Sequence, residues 1–99
     1  MYFLGLDGGV RKTHALICDQ SGQVLGFGIA DGGNPEAVGY EGLTCATQLA
    51  IDQANQVTGI ALSDNEGAGF GIAGYEKPHQ YLEILTAINR LGLRGKLVI

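Results

Sequence analysis

Apolar and polar positions alternate along the first third of the chain and then change period. Residues 2–6 are apolar and read as a first strand. Residues 13–18 read as a second, with Ala15 and Ile17 on one face and His14 and Leu16 on the other. Gln20-Ser21-Gly22-Gln23 supplies a tight turn and residues 24–29 form a third strand, so the chain opens with an antiparallel meander. Gly26 and Gly28 share a face of that strand, which predicts a neighbour packed closely against it.

A helical period follows. Asn34 is a good N-cap, Pro35 suits the first helical position, and Glu36 puts negative charge in the first turn. Ala46, Leu49, Ala50, Ala54 and Val57 recur at helical spacing, which carries the helix to about residue 56 with a buried stripe of mostly small side chains. Ser63-Asp64-Asn65-Glu66-Gly67 reads as a polar turn cluster, and residues 68–73 as a central strand buried on both faces. Pro78 opens a second helix with Tyr81, Ile84, Leu85, Ile88 and Leu91 on its stripe, Gly92 caps it, and residues 97–99 begin a last strand. The order βββαβαβ, with each helix returning the chain to a parallel strand by a right-handed crossover, predicts an α/β domain with a five-stranded mixed sheet.

The connection between the first two strands carries the candidate chemistry. Asp7 ends an apolar strand, Gly8 and Gly9 let backbone N–H groups face an anion, and Lys12 and Thr13 add a positive charge and a hydroxyl. Such a turn can hold a metal–nucleotide phosphate, with Asp7 placed to hold Mg²⁺ through water. It is neither a Walker loop, which needs Gly-Lys-Ser/Thr opening a helix, nor the spaced glycines of a dinucleotide site. A plain β-hairpin explains the same residues, because Asp-Gly and Gly-Gly are common hairpin connectors.

Four places together resemble one family: Leu4-Gly5-Leu6-Asp7-Gly8-Gly9, then Lys12-Thr13, the Gly33-Asn34-Pro35 corner, and Gly71-Ile72-Ala73-Gly74 followed by Lys77-Pro78. The chain is similar to the N-terminal half of BadF/BadG/BcrA/BcrD-type ATPases and N-acetylglucosamine kinases, of the actin-like ATPase, or ribonuclease-H-like, fold. The resemblance implies an ATP-dependent phosphotransferase or ATPase in which ATP and Mg²⁺ lie in a cleft between two lobes. It assigns Asp7, Gly8, Gly9, Arg11, Lys12 and Thr13 to the nucleotide and metal, and Asn34 to a sugar hydroxyl of a small-molecule acceptor such as an amino sugar. Asn34 is equally explained as a helix cap. The second phosphate loop, the adenosine pocket and the catalytic aspartate would all belong to a C-terminal part beyond residue 99, so no catalytic residue is expected in this chain. The family's loop usually reads Asp-Gly-Gly-Gly-Thr-Lys-Thr. Here Val10 replaces the third glycine and Arg11 the threonine, so either the loop is reshaped with Arg11 as a substitute phosphate ligand, or Arg11 points to solvent.

Composition sets bounds on these readings. The 99 residues are 45% hydrophobic, enough for the core of one domain. A net charge of −4 without a basic run argues against direct nucleic-acid binding. Cys18 and Cys45, far apart in sequence, read as small buried hydrophobes rather than a disulfide or metal pair. His14 and His79 have no second ligand near them in sequence, Asp31 reads either as an acidic group facing the cleft or as a solvated turn residue, and the Tyr75-Glu76-Lys77 segment reads as surface. Met1 leads straight into the first strand and Asp7 interrupts the apolar run, so neither a signal peptide nor a membrane span is expected, and the cytoplasm is the expected compartment. One lobe alone should leave apolar surface exposed, and homo-oligomerisation is expected. Three functions stay open: half of an ATP-dependent kinase or ATPase, a non-catalytic nucleotide-binding or regulatory domain, and an interaction module that keeps the fold only.

Overall fold

The computed structural model describes residues 2–33, 35–59, 65–72, 77–93 and 96–99, without the side chains of residues 35–37, 57 and 65. Strands β1 (Tyr2–Gly8), β2 (Lys12–Asp19) and β3 (Val24–Asp31) form the predicted meander. Helix α1 (Pro35–Thr58), strand β4 (Asn65–Ile72), helix α2 (Gln80–Asn89) and strand β5 (Lys96–Val98) follow. The strands make one mixed sheet in the order β3-β2-β1-β4-β5, with β1 antiparallel to β2 and parallel to β4, and β4 parallel to β5.

Both helices contribute to a single core on one face of this sheet. Leu4 and Leu6 of β1, Ala15 and Ile17 of β2 and Ala68 and Phe70 of β4 meet Leu43, Ala50, Ile51 and Ala54 of α1 and Ile84, Ala87 and Ile88 of α2. The glycines of β3 set how closely α1 approaches. A methyl group added at Gly28 would overlap the Ala50 carbonyl, and one at Gly26 would lie 2.5 Å from the Ala54 carbonyl oxygen. The close neighbour predicted from those glycines is therefore the backbone of α1 itself. Thr44 ties the two helices together, its hydroxyl lying 3.0 Å from the Ala87 carbonyl and 3.1 Å from that of Tyr40.

Several sequence expectations are corrected. Strand β4 starts at Asn65, inside the segment read as a polar turn, because the parallel ladder with β1 sets in at Tyr2 and Asn65 and captures these residues despite their composition. It is buried on one face only: Ala68 and Phe70 point to the helices, whereas Gly69 and Gly71 are exposed on a face that no described element covers. Helix α1 is interrupted at Gly39, whose φ of 75° and ψ of 175° are non-helical. Its buried stripe runs through Leu43, Ala46, Thr47, Ala50, Ile51 and Ala54, and Leu49 is exposed because it falls on the opposite side of that stripe. Helix α2 starts at Gln80 after a turn in which Gln80 N–H donates to the Lys77 carbonyl and Tyr81 N–H to that of Pro78, rather than at Pro78 itself. Gly92 follows it with the positive φ, 72°, of a cap glycine. Both cysteines are free thiols, but Cys18 is half-buried and Cys45 exposed, since each faces away from the core. Asn34, Ser63, Asp64 and residues 73–76 lie outside the described residues.

The β2–β3 turn is held by one carboxylate. Asp19 accepts from the Ser21 hydroxyl at 2.6 Å, the Ser21 amide at 2.9 Å and the Gln23 amide at 3.0 Å, with Gly22 at a φ of 87°. The Ser21 hydroxyl, followed by the Gln23 amide, holds the Asp19 carboxyl below its ordinary value.

Two outcomes follow from this packing and this turn. Gly28→Ala should cost about 1–3 kcal/mol in chemical denaturation, because the new methyl meets rigid backbone, while Gly5→Ala, which has nothing within 4 Å of the new atom, should stay within about 0.5 kcal/mol of the parent. The depressed Asp19 carboxyl contributes stability that is present above its unfolded-state value and is lost as pH falls through the folded-state value. An NMR titration should place Asp19 below the ordinary aspartate range, and Ser21→Ala should move it back up.

Candidate functional site

The turn between β1 and β2 is built by contacts with the corner that follows β3. Gly9 N–H donates to the Lys12 carbonyl at 2.9 Å and closes the turn, while Gly33 N–H donates to the Gly9 carbonyl at 3.1 Å. Glycine is required at both ends of this joint. A side chain at Gly9 would come within 2.8 Å of the Lys12 carbonyl oxygen, and one at Gly32 would run into the Val10 carbonyl. Gly8 is buried beneath the turn, its pro-Cβ position 3.6 Å from Leu43 Cδ1 and 3.8 Å from the carbonyl oxygens of Gly33 and Gly71. Val10 does not adopt positive φ, so it sits in the turn without backbone strain.

The residues singled out in the sequence divide into two groups. Asp7, Arg11 and Lys12 are exposed at the end of the sheet where β1 and β4 finish. Asp7 lies on the uncovered face with His14 directly opposite on β2 and Gly71 opposite on β4, and Lys12 stands opposite Asp31. Two carboxylates, an ammonium and an imidazole thus belong to register positions near this end of β1, β2 and β3. Thr13 belongs to the other group. Its side chain is fully buried under the helices, and its hydroxyl donates to the Asp31 carbonyl at 2.7 Å. The Gly9 amide is likewise spent inside the turn. The sequence pattern missed these two internal bonds; the partner of Thr13 is eighteen positions away on β3, which no local motif reveals.

His14 lies against Phe27, with ring centroids 5.8 Å apart and planes tilted by 38°. His79 is exposed. Among the described residues no group of three or more histidine, cysteine, aspartate or glutamate side chains could hold a metal ion. A Mg²⁺ ion at this end would rest on Asp7, with phosphate and water completing its shell, which is how that cation is commonly bound. A cavity of about 370 Å³ lies toward the other end of the sheet, lined mainly by Phe3, Gly67, Gly69, Lys96 and Val98. The charged side chains of Asp7, Arg11 and Lys12 make the β1–β2 end the chemically stronger candidate.

The fold and this turn define an α/β domain with a five-stranded mixed sheet and two helices. It is similar to the crystal structure of a putative N-acetylglucosamine kinase from Chromobacterium violaceum, with a TM-score of 0.74 and 17% sequence identity over 98% of this chain. The chain spans 33% of the length of that kinase. No protein-family profile matches the sequence, and no curated protein matches it. No helix among the described residues is long and apolar enough to cross a membrane.

The bond from Thr13 to Asp31 joins the strand after the turn to the corner after β3. Thr13→Val, equal in shape but unable to donate, should lower stability by about 1–3 kcal/mol by leaving a carbonyl without its donor. Unchanged stability in denaturant titration would show that the hydroxyl does not hold the corner.

Proposed function

We propose that this chain is the N-terminal, phosphate-binding lobe of an ATP-dependent phosphotransferase or ATPase of the actin-like, ribonuclease-H-like fold, related in activity to the amino-sugar kinases. The observation that carries the reading is the overlay of nearly the whole chain on one third of a kinase-named structure. The position of the Asp7–Thr13 turn at the ends of two adjacent parallel strands supports it, since open α/β sheets bind ligands beyond the carboxyl ends of their strands. Asp7 would hold Mg²⁺ through water, and Arg11 and Lys12 would meet the phosphates. When bound, the metal neutralises charge on the phosphate oxygens. Lys12 and Arg11 add positive charge from the protein side, and Asn34 is assigned to a hydroxyl of the acceptor. Phosphoryl transfer needs charge stabilisation from both sides of the phosphate, so the second lobe would supply the catalytic carboxylate and the remaining contacts.

Two observations favour a second reading, an interaction module that keeps the fold only. The Gly9 amide and the Thr13 hydroxyl are both consumed within the chain, and Arg11 stands where the resembling family carries a threonine.

An NMR titration of this chain with Mg-ATP separates the two. The kinase-lobe reading expects weak, millimolar-range binding, because few contacts are anchored on a single wall. Shifts should centre on Arg11 and Lys12, and the Mg²⁺-dependent part should disappear in Asp7→Asn, which keeps the turn. No response at millimolar Mg-ATP would overturn nucleotide binding and leave the interaction module. Sub-micromolar affinity of the monomer would overturn the single-wall site.

A further inference from the structure

Strand β3 lies at one end of the sheet order, paired with β2. An outer strand offers backbone donors and acceptors to any extended chain that reaches it. By composition this one is a good template, because residues 24–30 form an uncharged run that contains valine, leucine, phenylalanine and isoleucine. Its centre is nevertheless spent. The Ile29 amide donates to Gln53 Oε1 of α1 at 3.0 Å. Gln53 can reach the edge because α1 lies low on β3, with Gly28 and Gly26 admitting the carbonyls of Ala50 and Ala54 on either side of Gln53 in the helix.

The pairing pattern shows why that one amide matters. Successive residues of an antiparallel pair turn their amides alternately toward and away from the partner strand, so Ile29 faces away from β2, and Phe27 and Asp31 share its direction. Ile29 is the middle of the three positions through which an incoming antiparallel strand would bond. Two further features shut the same edge. The register skips Leu25, since Gly26 pairs with Ile17 and Val24 with Cys18, and a bulge of this kind twists an edge away from a partner. At the other end, the Asp31 carbonyl accepts from the Thr13 hydroxyl at 2.7 Å. All three features are made by residues between 13 and 53, whatever covers the rest of the sheet.

We propose that Gln53 guards this edge: its side-chain oxygen occupies the Ile29 amide and so keeps β3 from pairing with β3 of a second copy of the chain. The sequence argues for that partner, because the uncharged run can meet itself antiparallel about a two-fold axis without opposing like charges. The guard is separate from the nucleotide reading and stands or falls without it.

Two substitutions isolate the oxygen. Gln53→Met keeps the length of the side chain and removes the acceptor, whereas Gln53→Glu keeps an acceptor. In NMR-detected hydrogen exchange the Ile29 amide should exchange about tenfold faster in Gln53→Met than in the parent, as loss of one hydrogen bond implies. The amides of Gly28 and Ala30, which face β2, should keep their rates. In sedimentation velocity, Gln53→Met should self-associate at concentrations about tenfold lower than the parent does, while Gln53→Glu should sediment as the parent. Adding Ile29→Lys to Gln53→Met should restore parent behaviour, because a lysine on an edge strand opposes pairing. Circular dichroism checks that each variant folds. An Ile29 amide that exchanges equally in the parent and Gln53→Met would overturn the proposal. So would a Gln53→Met chain that associates no more than the parent, association that persists with Ile29→Lys, or a Gln53→Glu chain that behaves as Gln53→Met.

Discussion

Backbone lies directly against backbone where the carbonyls of Ala50 and Ala54 on α1 meet Gly28 and Gly26 on β3. Much of the rest depends on it. With no side chains intervening, the helix settles low over the outer half of the sheet, and its Leu43 end reaches the buried Gly8 beneath the β1–β2 turn. The Gly32-Gly33 corner, which links β3 to α1, is thereby pressed against that turn, where it accommodates the Val10 carbonyl and donates to Gly9. Helix depth, corner and turn form one mechanical unit. A change at Gly28 would be felt at Gly9, although neither residue touches the other.

This coupling explains what the candidate site can and cannot do as it stands. The charged groups at the end of β1 stand free of the core, while the neutral donors closest to them in sequence are committed to structure. Asp7, Arg11 and Lys12 remain exposed, and the Gly9 amide and Thr13 hydroxyl hold the corner in place. A ligand at this end would be met first by charge and only partly by backbone.

The meander, the two helices and the parallel return strands were legible because period and punctuation agreed there: alternation in β2, the Gly22 turn, small residues along α1 and the glycine after α2. What escaped was decided by neighbours distant in sequence. The polar start of β4 became a strand because β1 offered a partner. Leu49 looked like a core residue by spacing alone, yet the stripe is fixed by where β3 lets the helix lie. Gly39 gave no sign of its helix break, since an isolated glycine in a helical pattern has several meanings. At the candidate site the position of Asp7 was readable from its place at a strand end. The engagement of Thr13 was not, because its partner is eighteen positions away on β3.

The strand order also dictates how the chain can assemble as it is synthesised. Residues 2–58 contain β3, β2 and β1 in contiguous antiparallel pairs together with α1, so this block can form from connections between neighbours in sequence. β1 sits at the middle of the finished sheet, but until β4 arrives it is an edge. For that interval its backbone donors and acceptors face water, beside an apolar half-core that lacks Phe70, Ile84 and Ile88. Such an edge is a template for the wrong strand. Completing the sheet thus depends on inserting a glycine-rich parallel strand, whose weak intrinsic preference for extended structure offers little help against a competing strand.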